Sequence, residues 1–127
     1  MSVTIIRPNN VYKPRGYSHA VKAGNTVYVA GQVARDVEHN IVGKGDFEAQ
    51  AMQAFDNLSK VLEAAGATYR GVVRLNYYMT DLDNAAKLGP AYKKYFPDYN
   101  PPQTLLIVKS LYDPDYLLEI EATAVID

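Results

Sequence analysis

The stretch Leu118-Glu119-Ile120-Glu121-Ala122-Thr123-Ala124-Val125-Ile126 constrains the fold more than any other, because it keeps a strict period of two. Successive side chains of a strand point to opposite faces. Leu118, Ile120, Ala122, Ala124 and Ile126 therefore share one face, and Glu119, Glu121, Thr123 and Val125 share the other. The first face is core. The second sets two carboxylates beside apolar groups, which suits a half-buried pocket or a subunit interface, and equally an antiparallel sheet face wetted by solvent. Upstream, Pro101 to Val108 reads as a further strand, and Asp113-Pro114-Asp115 supplies a turn between the two. The pair is expected to lie side by side.

The rest of the chain supplies partners for that pair. Val3–Ile6 is a short strand closed by Pro8-Asn9-Asn10, and Ser18–Ala23 and Thr26–Val33 flank Gly24-Asn25 as a hairpin. Asp46 can cap a helix in which Ala51, Ala54, Phe55, Leu58, Val61, Leu62 and Ala65 recur at helical spacing, with Gly66 just past its end. Val72–Thr80 alternates again, with Val73, Leu75, Tyr77 and Met79 on one face and Val72, Arg74, Asn76 and Tyr78 on the other. Asp81 or Asp83 opens a second helix through Ala85, Leu88, Tyr92, Tyr95 and Phe96. Pro90 interrupts it, so that helix either kinks there or restarts with Pro90 in its first turn. Two amphipathic helices need a sheet to cover, and one sheet with both helices on one face is the economical α+β arrangement. The opposite face is left without a cover, and burial against further copies of the chain is the expected remedy.

Composition narrows the chemistry. A chain of 127 residues fits one domain, 1–127, and the absence of cysteine excludes disulfides, thiolate metal sites and a cysteine nucleophile. His19 and His39 are the only histidines and lack a shared helix face, so no metal is expected. With 13 basic and 14 acidic residues and no basic run, neither nucleic acid nor an anionic membrane is an expected partner. No segment reaches the length of a membrane helix and no secretory leader is apparent, so a cytoplasmic protein is expected. Ser18 and His19 fall on opposite strand faces and do not form a nucleophile and base.

Five stretches in order carry a resemblance: Gly16-Tyr17-Ser18, Val27-Tyr28-Val29-Ala30-Gly31-Gln32, Leu62-Glu63-Ala64-Ala65-Gly66-Ala67, Thr80-Asp81-Leu82 and Glu119-Ile120-Glu121-Ala122-Thr123-Ala124-Val125. Together they resemble the RidA (YjgF) family of reactive intermediate deaminases over nearly the whole chain. The resemblance implies a chorismate-mutase-like α+β fold, a homotrimer with small-molecule sites in the clefts between subunits, and hydrolysis of imines or enamines without cofactor. It also implies roles: Glu119 as the catalytic group that orients or activates water, and Tyr17 and Gly31 as substrate-binding residues. The family's carboxylate-clamping arginine is absent, since its Pro-Ala-Arg is Pro101-Pro102-Gln103 here, and an asparagine common in the second helix aligns with Gly89.

Arginine binds a carboxylate through a charged planar fork, whereas the Gln103 amide is neutral with one donor end and one acceptor end. Loss of a charge-assisted bond costs about 1.5–3 kcal/mol, roughly tenfold to a hundredfold on an anionic substrate. The expected function is a cofactor-independent hydrolase of the imine or enamine deaminase kind whose specificity is altered at Gln103. A trimer that binds a small metabolite without turnover is the alternative. Arg15 and Arg74 are candidate replacement cations, and His19 reads as a packing or interface residue.

Overall fold

The computed structural model describes residues 2–127, and the elements run strand, strand, strand, helix, strand, helix, strand, strand. The strands β1 (Val3–Ile6), β2 (Ala20–Ala23), β3 (Thr26–Gln32), β4 (Val72–Met79), β5 (Gln103–Ile107) and β6 (Leu118–Val125) form one mixed sheet in the order β1-β2-β3-β6-β4-β5. The helices α1 (Phe47–Ala64) and α2 (Gly89–Tyr95) cover the face that carries Val27, Val29, Leu75, Tyr77, Met79, Leu118, Ile120, Ala122 and Ala124. Phe55 of α1 joins the layers, meeting Tyr77 of β4 and Tyr92 of α2 edge-on at ring separations of 6.2 and 6.3 Å. It is 1% exposed, and burial of such a ring contributes about 1.5–3 kcal/mol. This is the α+β fold with one mixed sheet and two helices that the alternation implied.

The helix ends follow from their residues. Asp46 accepts a hydrogen bond from the Ala49 N–H at 3.2 Å, offsetting one of the unpaired donors at the start of α1. At the other end Gly66 takes φ +81°, and the N–H groups of Gly66 and Ala67 return to Glu63 and Leu62. That pair of bonds is the Schellman closure, which needs a left-handed residue and so favours glycine. Pro90 produces a restart rather than a kink: a short 3₁₀ turn over Leu82–Lys87, capped by Asp81, ends before α2 begins with Pro90 in its first turn.

Two expectations about the sheet are corrected. The terminal strands β5 and β6 are not neighbours, because β4 lies between them. It pairs in parallel with β5, Leu75 opposite Gln103, and antiparallel with β6, Tyr78 opposite Glu119. The stretch containing α2 carries the chain from the end of β4 back to the start of β5, which is the crossover that a parallel pair requires. The turn at Asp113-Pro114-Asp115 does form, with the Tyr116 N–H on the Asp113 carbonyl at 3.0 Å. It belongs to a long connection rather than a hairpin. In β4, an irregularity between Val72 and Arg74 resets the alternation, so Val72 is buried and Val73 is 43% exposed. From Arg74 onward the two faces are as expected.

Among the described residues, no helix lies over the second face of the sheet. Arg74, Asn76 and Tyr78 of β4, Glu121 and Thr123 of β6, Tyr28 of β3 and Leu106 of β5 stand there, the last two about half exposed at 52% and 50%.

Candidate functional site

A bulge sets the geometry of the site. β3 pairs with β6 through Val29–Ala122 and then Gln32–Ile120, so Ala30 and Gly31 together oppose the single residue Glu121. A bulge of this kind bends the strand and re-aims the residues beside it. Here it turns Gln32 inward, where it is fully buried, and brings Gly31 under the side chain of Glu119. The fit leaves no room for a larger residue: a Cβ on Gly31 would stand 2.2 Å from Glu119 Oε2 and 2.5 Å from its Cδ. Only glycine at 31 leaves the Glu119 carboxylate in this position, because the carboxylate occupies the space a side chain would fill.

Glu119 looks into an open hollow of about 650 Å³. Tyr12, Tyr17, Tyr112 and Tyr116 give it aromatic walls, and Arg15, Arg35 and His39 give it nitrogen. Arg35 is held firmly: its Nε donates to the Tyr116 hydroxyl at 2.5 Å, Nη1 to the His39 carbonyl at 2.6 Å and Nη2 to Asp113 at 3.2 Å. Its guanidinium also lies over the Tyr116 ring, 5.2 Å from the centroid. Tyr116 and Tyr12 form, with Val33, a second small apolar cluster that backs the hollow.

Two amides of α1 fix these walls from behind. The buried Asn57 donates to the carbonyls of both Val33 and Arg35 at 2.9 Å. The buried Gln50 donates to the carbonyls of Gly43 and Asp115 and accepts from the Leu117 N–H at 2.9 Å. Loop backbone that enters a protein interior must find hydrogen-bond partners, and these two side chains provide them on either side of the hollow. Arg35, Tyr116, Asn57 and Gln50 were not among the residues that the sequence reading singled out. The signal for the last two was present as polar residues adjoining the apolar stripe of α1.

Burial, with the nearby Glu121 charge as a second cause, pushes the Glu119 carboxyl above the ordinary glutamate value. Glu121 has a different setting. It accepts hydrogen bonds from Asn76 Nδ2 at 3.0 Å and from the Tyr78 hydroxyl, and that bond is the main reason Tyr78 is pushed up to about 12. Glu121 thus sits in a hydrogen-bonded cluster on the open face, beside a separate hollow of about 340 Å³. Of the two carboxylates on that strand, Glu119 alone faces the aromatic hollow. Tyr17 is half exposed at 49%, and burial raises its hydroxyl above the usual tyrosine value.

Three of the four site residues expected from the sequence, Tyr17, Gly31 and Glu119, line this one hollow. Gln103 does not. It stands opposite Leu75 on the helix-facing side of the sheet, accepting from the Tyr77 hydroxyl at 2.7 Å and donating to the Tyr92 oxygen at 2.9 Å. Of the candidate cations, Arg15 lines the hollow, whereas Arg74 lies on the open sheet face and donates to Thr104 at 2.7 Å. His19 is 1% exposed and packed: Nε2 donates to the Tyr12 carbonyl at 2.6 Å, so Nδ1 accepts from Gln32 at 3.0 Å. Burial lowers its basicity. Among the described residues no group of three or more histidine or carboxylate side chains is placed to hold a metal.

Comparison with known proteins agrees with the fold and with the pattern of residues. The family model described as Endoribonuclease L-PSP matches residues 9–126. A RutC family protein of Pyrococcus horikoshii, PH0854, is 37% identical over 121 residues, which cover 94% of this chain and 95% of that one. A 2-iminobutanoate/2-iminopropanoate deaminase of the mite Dermatophagoides farinae is 33% identical over 111 residues, 87% of this chain and 86% of the relative. The crystal structure of RidA from an Antarctic Psychrobacter superimposes with a TM-score of 0.90 at 33% identity, covering 97% of this chain and 99% of that one. On the residues, the fold and these matches, the chain belongs to the Endoribonuclease L-PSP family, the group that includes the RidA, YjgF and RutC proteins.

Proposed function

We propose that the protein hydrolyses an imine or enamine in the hollow below Glu119, releasing ammonia and a carbonyl compound. The observation that carries this reading is the carboxylate seated over Gly31, facing an aromatic hollow and made more basic than an ordinary glutamate. A base with a raised pKa suits proton transfer near neutral pH. Glu119 takes a proton from water while the oxygen bonds to the imine carbon and the C=N pair moves to nitrogen, which gains a proton. In the resulting carbinolamine the hydroxyl proton passes to the nitrogen as the C–N bond breaks and the C=O forms, so imine and water become carbonyl and ammonia. The deaminase activity named for the mite relative supports this reaction class.

The site is completed by a second copy of the chain. Within one protomer Gln103 and Glu119 are on opposite sides of the sheet, so they can share a ligand only across a boundary between subunits. A homotrimer that covers the open face of each sheet is the proposed assembly. At position 103 the neutral amide, held by Tyr77 and Tyr92, brings no charge to a substrate and alters specificity there. The same absence of charge favours the second reading, a trimer that holds a small metabolite without turning it over. No cofactor and no nucleic acid enter either reading, and no helix among the described residues is long and apolar enough to cross a membrane.

Ammonia release from a panel of freshly generated anionic and neutral imines tests the reaction. Turnover that Glu119→Ala abolishes is the expected result. Saturable binding without product over the whole panel favours the binding trimer. Cleavage of single-stranded RNA by a nuclease-free preparation, lost with Glu119→Ala, would replace both.

A further inference from the structure

The hollow contains a positive charge that nothing in the fold uses. Arg35 has its three nitrogens on Tyr116, His39 and Asp113, and the Asp113 carboxylate offsets its charge. Arg15 is different: it lines the same hollow as Glu119 from the loop before β2, is exposed, and takes part in none of the ion pairs among the described residues. A guanidinium is a fork built for carboxylate, and an unpaired one at the rim of a cavity is poised to bind an anion. The flanking residues make the placement definite. Pro14 fixes the backbone before it, and Gly16, at φ +81°, turns the chain back so that Arg15 and Tyr17 both reach the hollow.

The aromatic lining adds a second constraint. Tyr12, Tyr17, Tyr112 and Tyr116 surround the space with ring faces and edges, and His39 meets Tyr12 edge-on at 5.6 Å. The open hollow of about 650 Å³ in one protomer has room for a ring-bearing molecule. Flat unsaturated groups gain most from such walls, through stacked and edge-to-face contacts.

We infer that Arg15 binds the anionic end of the substrate in place of the residue at 103, and that the substrate is a carboxylate bearing a planar, bulky side group. This inference rests on the proposed reaction for its choice of imine. The carboxylate is then drawn toward the loop before β2, and the charge is brought by the protomer that carries Glu119 rather than by its neighbour.

The test separates binding from turnover. Phenylpyruvate, a planar 2-oxo acid that presents the product side of an aromatic imine, is titrated calorimetrically into the purified protein and into Arg15→Met and Arg15→Lys. Binding weakened tenfold to a hundredfold in Arg15→Met, with most of it restored in Arg15→Lys, is expected. In parallel, the imine of phenylalanine and that of its amide are compared as substrates, and Arg15→Met raises KM for the acid alone. Phenylpyruvate binding that is absent, or equal in wild type and Arg15→Met, overturns the inference, as does an equal KM change for acid and amide. Arg15-dependent binding with no turnover of any imine upholds the inference while overturning the proposed reaction. Turnover indifferent to Arg15 does the reverse.

Discussion

Gly31→Ala isolates the Glu119 carboxylate from the rest of the fold. The backbone at 31 lies outside the left-handed region, so alanine is tolerated there, and the three nearest atoms to the added Cβ all belong to one flexible side chain. Contacts of 2.2, 2.5 and 2.7 Å with Oε2, Cδ and Cγ must open toward ordinary van der Waals distance. The carboxylate therefore retreats by at least about 1 Å, against contacts normally near 3.5 Å. A misplacement of about 1 Å at a reacting group costs on the order of a hundredfold in rate. Stability moves little, and gains about 0.4–1 kcal/mol if the reduced freedom of the unfolded chain dominates. The assay is steady-state ammonia release from an imine turned over by the wild type, beside a urea melt. Gly31→Ala should lose about two orders of magnitude in kcat at an unchanged or higher midpoint. On any residual rate left by Glu119→Ala it should have no further effect, since residues acting as a unit are not additive. Wild-type kcat in Gly31→Ala, or equal losses in both backgrounds, would refute the idea that this glycine exists to seat the carboxylate.

Glu119→Gln should be at least as stable as the wild type at pH 7. A carboxyl raised in the folded state contributes stability below its unfolded value and loses it as pH rises through the folded one, so thermal melts should favour the glutamine variant more at pH 7 than at pH 4. His19 has the opposite sign: its lowered folded value leaves full stability above the ordinary histidine range, lost as pH falls toward the folded value. Urea midpoints of the wild type should therefore fall between pH 7.5 and 5.5, and His19→Gln, though weaker at pH 7.5, should show a shallower slope. Asn57→Ala strands the carbonyls of Val33 and Arg35 and should cost about 2–4 kcal/mol in urea unfolding; a loss under about 0.5 kcal/mol would mean that water replaces the amide.

Where a single rule governs a segment, the sequence was a sufficient guide. Period two in Leu118–Val125 and the α1 stripe with Asp46 and Gly66 at its ends appear as read, and the Gly24-Asn25 hairpin forms with Ala20–Ala23 and Thr26–Gln32 rather than the longer Ser18–Ala23 and Thr26–Val33. Strand order was harder, because alternation says which face a residue occupies and nothing about which strand lies beside it. That is why β4 between β5 and β6 came as a correction. The irregularity after Val72 also escaped, since the apolar pair Val72-Val73 fits either phase. For the site, Glu119 and Gly31 could be named individually, but not as partners in one contact. Arg35, Tyr116 and Asn57 were illegible for a related reason: their roles arise from contacts 22 to 81 positions apart in the chain.

The surplus residue in β3 makes strand length, as well as composition, a quantity that protects this site. Substitutions before the bulge change one side chain each and leave the rest in phase. A deletion of either Ala30 or Gly31 would instead leave a single residue opposite Glu121, so the ladder becomes regular with Gln32 still opposite Ile120 and the bulge beneath Glu119 is lost. Grafting a β3 of ordinary length from an unrelated sheet would therefore preserve hydrophobicity and hydrogen bonding while removing the recess under Glu119. For redesign, the surplus residue at this point is the feature to hold constant.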